Sequence, residues 1–90
     1  MKIVVTQQDI IRGRRDDAHS CPVALAVDRA ASEANPEHYE YCEVLELEAG
    51  LHDDNKIWHR FNLPAVATAF IQLFDAGLPV EPFEFDLPVE

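Results

Sequence analysis

The stretch PAVATAFIQLFDAGLPVEPFEFDL, residues 64–87, contains the two periodic patterns that decide the fold. Its first half predicts a helix that opens at Pro64 and is closed by Gly77 and Pro79, because proline suits the first turn of a helix and glycine suits its end. A stripe of apolar residues at helical spacing predicts the buried side of this helix: Val66, Phe70, Leu73 and Phe74.

The second half of the stretch changes to a period of two. Phe83, Phe85 and Leu87 alternate with acidic residues, which is typical of a strand with one buried and one solvated face. A helix followed by such a strand predicts a domain in which helices cover a sheet.

A second helix is predicted upstream, from Pro22 to about Glu33. The dipeptide Asn35-Pro36 stops it, because the residue before a proline avoids the helical conformation. Its alanine-rich side can pack closely against a sheet and consists of Val23, Val27, Ala30 and Ala34.

The amino-terminal segment predicts a strand that passes into a short helix. Ile3, Val4 and Val5 are β-branched and favour a strand, and Thr6 with Asp9 forms a weak capping box for the helix. Ile10 and Ile11 supply the apolar side of that helix, and Gly13 is expected to end it in a left-handed conformation.

The middle of the chain predicts a hairpin. Its two extended segments are Tyr39 to Glu48 and Lys56 to Phe61, and the turn-rich stretch Ala49 to Asn55 joins them. Alternation in the first segment is imperfect, which favours a bulge near Glu43 or Val44.

These segments predict one domain, residues 1–90, of the α+β class. A small, mostly antiparallel sheet should pack against two main helices in the order β-α-α-β-β-α-β. The amino terminus lacks a secretory core and no stretch approaches the length of a membrane span, so a cytoplasmic location is expected.

The charge of the chain is segregated. The net charge is −10, and the whole excess of acid lies after residue 32. This concentration of negative charge argues against direct nucleic-acid binding, which requires Lys and Arg at the phosphates, and favours a basic protein surface as partner. Between residues 33 and 54 there is no Lys or Arg but eight acidic residues: Glu33, Glu37, Glu40, Glu43, Glu46, Glu48, Asp53 and Asp54.

Several short motifs carry a resemblance to a known group of proteins. They are Val5-Thr6, Asp9-Ile10, Arg12-Gly13, Cys21-Pro22-Val23-Ala24-Leu25-Ala26, Leu63-Pro64, Phe74-Asp75-x-Gly77, Pro79 and Pro82-Phe83-Glu84-Phe85. Through them nearly the whole chain resembles small uncharacterised proteins of tailed bacteriophages and prophage regions. The resemblance implies no catalytic residue or cofactor. It implies a phage context, in which small acidic proteins often bind and block a host protein, including defence complexes such as CRISPR effectors.

We therefore expect a non-enzymatic inhibitor that occludes a basic groove of a host nucleic-acid-binding protein. Glu40, Glu46 and Glu48 at alternate positions of one strand would repeat at about 7 Å and imitate a phosphate backbone. An ordinary solvated face is the competing interpretation of the same charge. The predicted partner-binding residues are Glu37, Glu40, Glu43, Glu46, Glu48, Asp53, Asp54 and Trp58.

Two other classes of function stay open. Cys21 lies at a helix start, where the helix dipole favours a thiolate, and His19 is a base only two residues away, so a thiol- or metal-dependent protein that uses Cys21 and His19 is one alternative. A structural homodimer is the other. The spacing of the histidines and cysteines argues against zinc, because only His19/Cys21 and His38/Cys42 approach paired ligands.

One basic patch interrupts the acidic character. It consists of Arg12, Arg14 and Arg15, and we expect it to pair internally with carboxylates such as Asp16 and Asp17, or to orient a partner, rather than to bind nucleic acid.

Overall fold

The structure is a computed structural model that describes residues 1–35 and 37–89. The predicted α+β class is confirmed, and so is the predicted order of elements, to which the structure adds one strand in the middle. The elements are β1 (Lys2–Val5), α1 (Gln7–Arg12), α2 (Pro22–Ala34), β2 (Tyr39–Val44), β3 (Glu48–Asp53), β4 (Trp58–Asn62), α3 (Ala65–Asp75) and β5 (Phe83–Asp86).

The strands form two separate antiparallel sheets rather than one. The two chain ends pair as β1 and β5, with Ile3 opposite Phe85. The other sheet is a three-stranded meander in the order β2-β3-β4. The apolar residues of both sheets and of the helices join in one core, whose largest fully buried side chains include Ile3, Leu51 and Leu87.

Strand β3 corrects the predicted turn at Ala49 to Asn55. Ala49 and Leu51 point into the core and are fully buried, so this segment forms the central strand of the meander. Its glycine and its polar residues conceal that alternation in the sequence. The turn begins only at Asp54, and Lys56 adopts a left-handed conformation there, with φ of 67°.

The bulge in β2 lies closer to the strand's start than Glu43 or Val44. Tyr39 pairs with Asp53 and Tyr41 pairs with His52, so Glu40 is the extra residue. A bulge re-aims the side chains around it. Here it brings Glu40 within reach of groups on β3 and on the following turn.

Helix α2 begins at Pro22 and ends at Ala34, with Asn35 as its cap, as predicted. The predicted stop also involved Pro36, which lies outside the described residues. The buried side of the helix is rotated from the predicted stripe, because α2 packs against both β1 and β2. Ala30 is only half-buried and Ala34 is exposed, whereas the buried side consists of Pro22, Val23, Ala24, Ala26, Val27 and Ala31.

Helix α3 buries Phe70 as predicted, and Phe74 packs against the core, but the rest of its buried side differs from the predicted stripe. Ala67, Phe70 and Ile71 are buried, whereas Val66 is 53% exposed and Leu73 is 43% exposed. Every turn of this helix carries apolar residues on more than one side, so the sequence pattern alone does not select the buried one. Gly77 ends the helical region with φ of 76°, a conformation that suits glycine.

The short helix α1 has a side-chain cap at its start and a glycine at its end. Thr6 and Asp9 form the predicted capping box. Gly13 is extended, with φ of −67°, and not left-handed as expected. It is required for space, because a Cβ at this position would lie 2.5 Å from the ring of Pro22.

An ion pair links α1 to α2. The Arg29 guanidinium donates to both carboxylate oxygens of Asp9, at 2.8 and 2.7 Å, and Thr6 N donates to Asp9 Oδ2 at 2.8 Å. Burial raises the pKa of Asp9, but these hydrogen bonds outweigh it, so the pKa of Asp9 lies below its usual value.

We expect the free energy of unfolding to decrease as the pH falls below about 4. The pKa of Asp9 is lower in the folded than in the unfolded chain, so the stabilisation it contributes is complete above the unfolded pKa. It is lost as the pH falls through the folded pKa. Urea denaturation at a series of pH values measures this loss. Asp9→Asn, which cannot titrate, should flatten the pH dependence, and an unchanged slope would contradict the assignment.

Within residues 1–35 and 37–89, no helix combines the length and the apolar character that crossing a membrane requires.

Candidate functional site

The outer face of the three-stranded sheet carries a cluster of rings. Tyr41, His52 and Trp58 are cross-strand neighbours on the face opposite the core residues Cys42 and Leu51. The rings of Tyr41 and His52 are stacked with centroids 4.6 Å apart, and Trp58 meets both of them edge-on. Together with Arg60, these three residues are called the aromatic face below.

Arg60 extends the aromatic face along β4. Its Cζ lies 5.0 Å from the centre of the Trp58 ring, a cation–π arrangement that fixes both side chains. Gly50 lies beneath them, and a Cβ there would be 3.0 Å from the Trp58 ring and 3.3 Å from Arg60 Nη1. The absence of a side chain at position 50 therefore lets both groups lie close to the sheet.

Carboxylates border the aromatic face. Lys56 Nζ donates to Glu40 Oε1 at 2.8 Å, and Arg60 Nη1 donates to Glu48 Oε1 at 3.2 Å. Glu43 Oε2 lies 3.9 Å from Arg60 Nη2. The hydrogen bond from Lys56 holds the pKa of Glu40 below its usual value. We call the three carboxylates of Glu40, Glu43 and Glu48 the acidic border, and they lie close to the two cations Lys56 and Arg60.

His52 is the only member of the aromatic face that is buried. Its Nδ1 lies 3.2 Å from Glu40 Oε2, but the two atoms are not aligned for a hydrogen bond. Within the described part of the chain, His52 Nδ1 has no hydrogen-bond partner. Tyr41, in contrast, is 46% exposed. The ring cluster is therefore held in place by the buried ring of His52 and is accessible to a partner at Tyr41.

The remaining predicted partner-binding residues are dispersed. Glu37 is exposed beyond the end of α2, and Asp54 Oδ1 lies 3.1 Å from His38 Nδ1. Glu46 lies in the turn between β2 and β3 and accepts a hydrogen bond from Gln72. The predicted 7 Å repeat of Glu40, Glu46 and Glu48 on one strand is wrong, because β2 ends at Val44.

Asp53 is buried, being 3% exposed, and so cannot belong to a partner surface as the sequence suggested. Its Oδ1 accepts hydrogen bonds from the backbone N–H groups of Asn55 and Ile57, which shape the turn after β3. Its Oδ2 lies 2.7 Å from His59 Nε2. The hydrogen bond from His59 and those from the backbone lower the pKa of Asp53 to about 2, so the carboxylate is ionised at neutral pH.

The same carboxylate belongs to a group of three side chains whose residue types can ligate a metal ion. One ligand atom each from His38, Asp53 and His59 lie within 4.8 Å of one another. Sequence spacing did not reveal this set, because the pairing of β3 with β4 brings Asp53 and His59 together. Of the histidines weighed from the sequence, His19 instead has its Nδ1 3.0 Å from the backbone carbonyl oxygen of Cys42.

Cys21 does not have the environment of a nucleophile. It caps α2 by accepting a hydrogen bond from Ala24 N at 3.4 Å, and burial raises its pKa, which keeps the thiol protonated. The Cys42 thiol donates to the Ala24 carbonyl, and burial raises its pKa to about 12. Both cysteines are free thiols with structural surroundings.

The basic patch lacks the internal ion pairs that were expected of it. Arg12, Arg14 and Arg15 are exposed, and none of them lies within 4.0 Å of a carboxylate oxygen of the residues that the structure describes. Asp17 instead accepts hydrogen bonds from the backbone of His19 and Ser20.

Comparison of the chain with protein-family models, with curated proteins and with solved structures gives no match.

Proposed function

We propose that this protein is a non-enzymatic binding module that uses the aromatic face and its acidic border to occupy a basic surface of another protein. The observation that carries this proposal is the Tyr41–His52–Trp58 ring cluster, which lies on a solvent-facing sheet surface between Glu40, Glu43 and Glu48.

The composition of the aromatic face supports this role. Trp, Tyr and Arg are the residues that contribute most often to the energetic centres of protein interfaces. Trp58 and Arg60 hold each other in place, and Tyr41 is stacked on a buried ring. Binding therefore immobilises few additional rotamers, which lowers the entropic cost of association.

Charge complementarity selects the class of partner. The net charge of −10 attracts basic surfaces and repels nucleic acid. Basic surfaces of the required size occur on proteins that bind DNA or RNA, so the proposed effect is competition with nucleic acid for such a groove. In the phage context that the resemblance implies, the proposed partner is a cytoplasmic protein of the bacterial host, and defence complexes are among the candidates.

The test is capture of partners from a bacterial lysate on immobilised protein, followed by competition. The captured protein should bind DNA or RNA, and the module should displace a labelled oligonucleotide from it in a stoichiometric titration. Raising the salt concentration should weaken the complex, because exposed charges are screened over about 8–10 Å at ordinary ionic strength. Simultaneous binding of the module and the oligonucleotide would contradict occlusion.

Self-association is the main rival and has a direct readout. Sedimentation of the purified protein, alone and at high salt, distinguishes a monomer from a dimer. A stable dimer in which the aromatic face is protected from solvent would replace the proposed hetero-complex by the structural homodimer.

A further inference from the structure

We propose that His38, Asp53 and His59 form a binding site for a divalent transition-metal ion of the zinc type. The inference goes beyond the proposed partner binding and does not depend on it. It rests on the convergence of two imidazoles and one carboxylate at the turn end of the three-stranded sheet.

The donor set has the right chemistry. Imidazole nitrogen and carboxylate oxygen are ordinary zinc ligands, and sites with three protein ligands keep a fourth position for water or another ligand. Neutral imidazole also suits other divalent ions of the first transition row. Two histidines with one aspartate favour these ions over Mg²⁺ or Ca²⁺, which prefer oxygen ligands alone.

The distances are compatible with such an ion. With bonds of about 2.0–2.2 Å, ligand atoms around a tetrahedral zinc ion lie about 3.3–3.6 Å apart. The ligand atoms here lie within 4.8 Å of one another, and His59 Nε2 and Asp53 Oδ2 are 2.7 Å apart. An ion therefore requires the last two atoms to separate by under about 1 Å and His38 to move inward. Rotation of the partly exposed His38 and His59 side chains can supply such shifts.

Hydrogen bonds from the neighbouring backbone orient the Asp53 carboxylate toward the two histidines. Asp53 Oδ1 is occupied by two backbone N–H donors, so Oδ2 is the oxygen that faces the histidines. Asp54 Oδ1 lies 3.1 Å from His38 Nδ1 and can orient that ring, as carboxylates commonly do for metal-bound histidines. The side chains of His38 and His59 are 34% and 41% exposed, which leaves a path for the ion.

The experiment is calorimetric titration of the untagged protein with Zn²⁺, together with the visible spectrum of the Co²⁺-loaded protein. We expect one ion per chain and a spectrum of nitrogen and oxygen ligands. The double variant His38→Ala/His59→Ala should lose at least about 100-fold in affinity, more than the loss of an outer-shell partner causes. Circular dichroism verifies its fold, which should persist because both side chains are partly exposed.

The matched control is His19→Ala, which removes an exposed histidine outside the cluster and should bind Zn²⁺ like the parent. Three results would overturn the proposal. They are the absence of Zn²⁺ binding by the parent, equal affinity of the parent and the double variant, and an intense thiolate-to-cobalt absorption band, which would assign the ion to Cys21 or Cys42.

Discussion

Replacing Phe70 by alanine should lower the free energy of unfolding by about 3–5 kcal/mol, a large part of the roughly 5–15 kcal/mol that stabilises a typical domain. Phe70 is 6% exposed, and its ring lies 4.7 Å from that of Phe83 and 6.1 Å from that of Phe74. Truncation removes these contacts and leaves a cavity between α3 and β5. Chemical denaturation followed by circular dichroism measures the loss.

The control for this variant lies on the same helix. Leu73 belongs to the stripe predicted from sequence but is 43% exposed, so Leu73→Ala should cost less than about 1 kcal/mol. Phe74 is half-buried and should give an intermediate value. If Leu73→Ala were as damaging as Phe70→Ala, the side of α3 that faces the core would have to be reassigned.

Reversing the charges that border the aromatic face should reduce partner binding by at least about 100-fold. The variant Glu40→Lys/Glu43→Lys/Glu48→Lys places three cations beside Lys56 and Arg60 and turns attraction to a basic surface into repulsion. The fold should survive, because the three carboxylates are partly exposed and ion pairs at the surface contribute about 0–1 kcal/mol each. The measurement is affinity for the captured partner by calorimetry or surface plasmon resonance.

A matched reversal separates a local effect from a change in net charge. Asp28→Lys/Glu81→Lys/Asp86→Lys alters the charge by the same amount at three exposed positions outside the border. It should slow association modestly and leave most of the affinity. Equal losses in the two variants would mean that net charge alone governs binding, and unchanged affinity in the first variant would remove the acidic border from the interface.

The elements with strong end signals could be predicted from sequence. Proline at the start of α2, the Thr6–Asp9 capping box and the glycine after α3 are local features, and the structure contains each of them. The strand β3 could not be predicted, because its inward residues Ala49 and Leu51 are separated by a glycine whose role depends on Trp58 of the next strand.

The candidate site could be predicted only in part, because the sequence shows residue type but not strand register. Trp58 was selected for its residue type, and the structure places it at the centre of the ring cluster. The fate of each acidic residue depends on register, which the bulge at Glu40 shifts by one position. Asp53 lies at an alternate position to the inward residues Ala49 and Leu51 of β3, so it is a buried hydrogen-bond acceptor and a metal-ligand candidate instead of a surface charge.

The close approach of Trp58 and Arg60 to Gly50 couples these positions during sequence divergence. An alanine at position 50 would press on the Trp58 ring from 3.0 Å, so it is expected to be tolerated mainly when position 58 carries a smaller side chain. Among related sequences, positions 50 and 58 should therefore covary. In a double-mutant cycle, the two substitutions together should cost less than the sum of their separate costs.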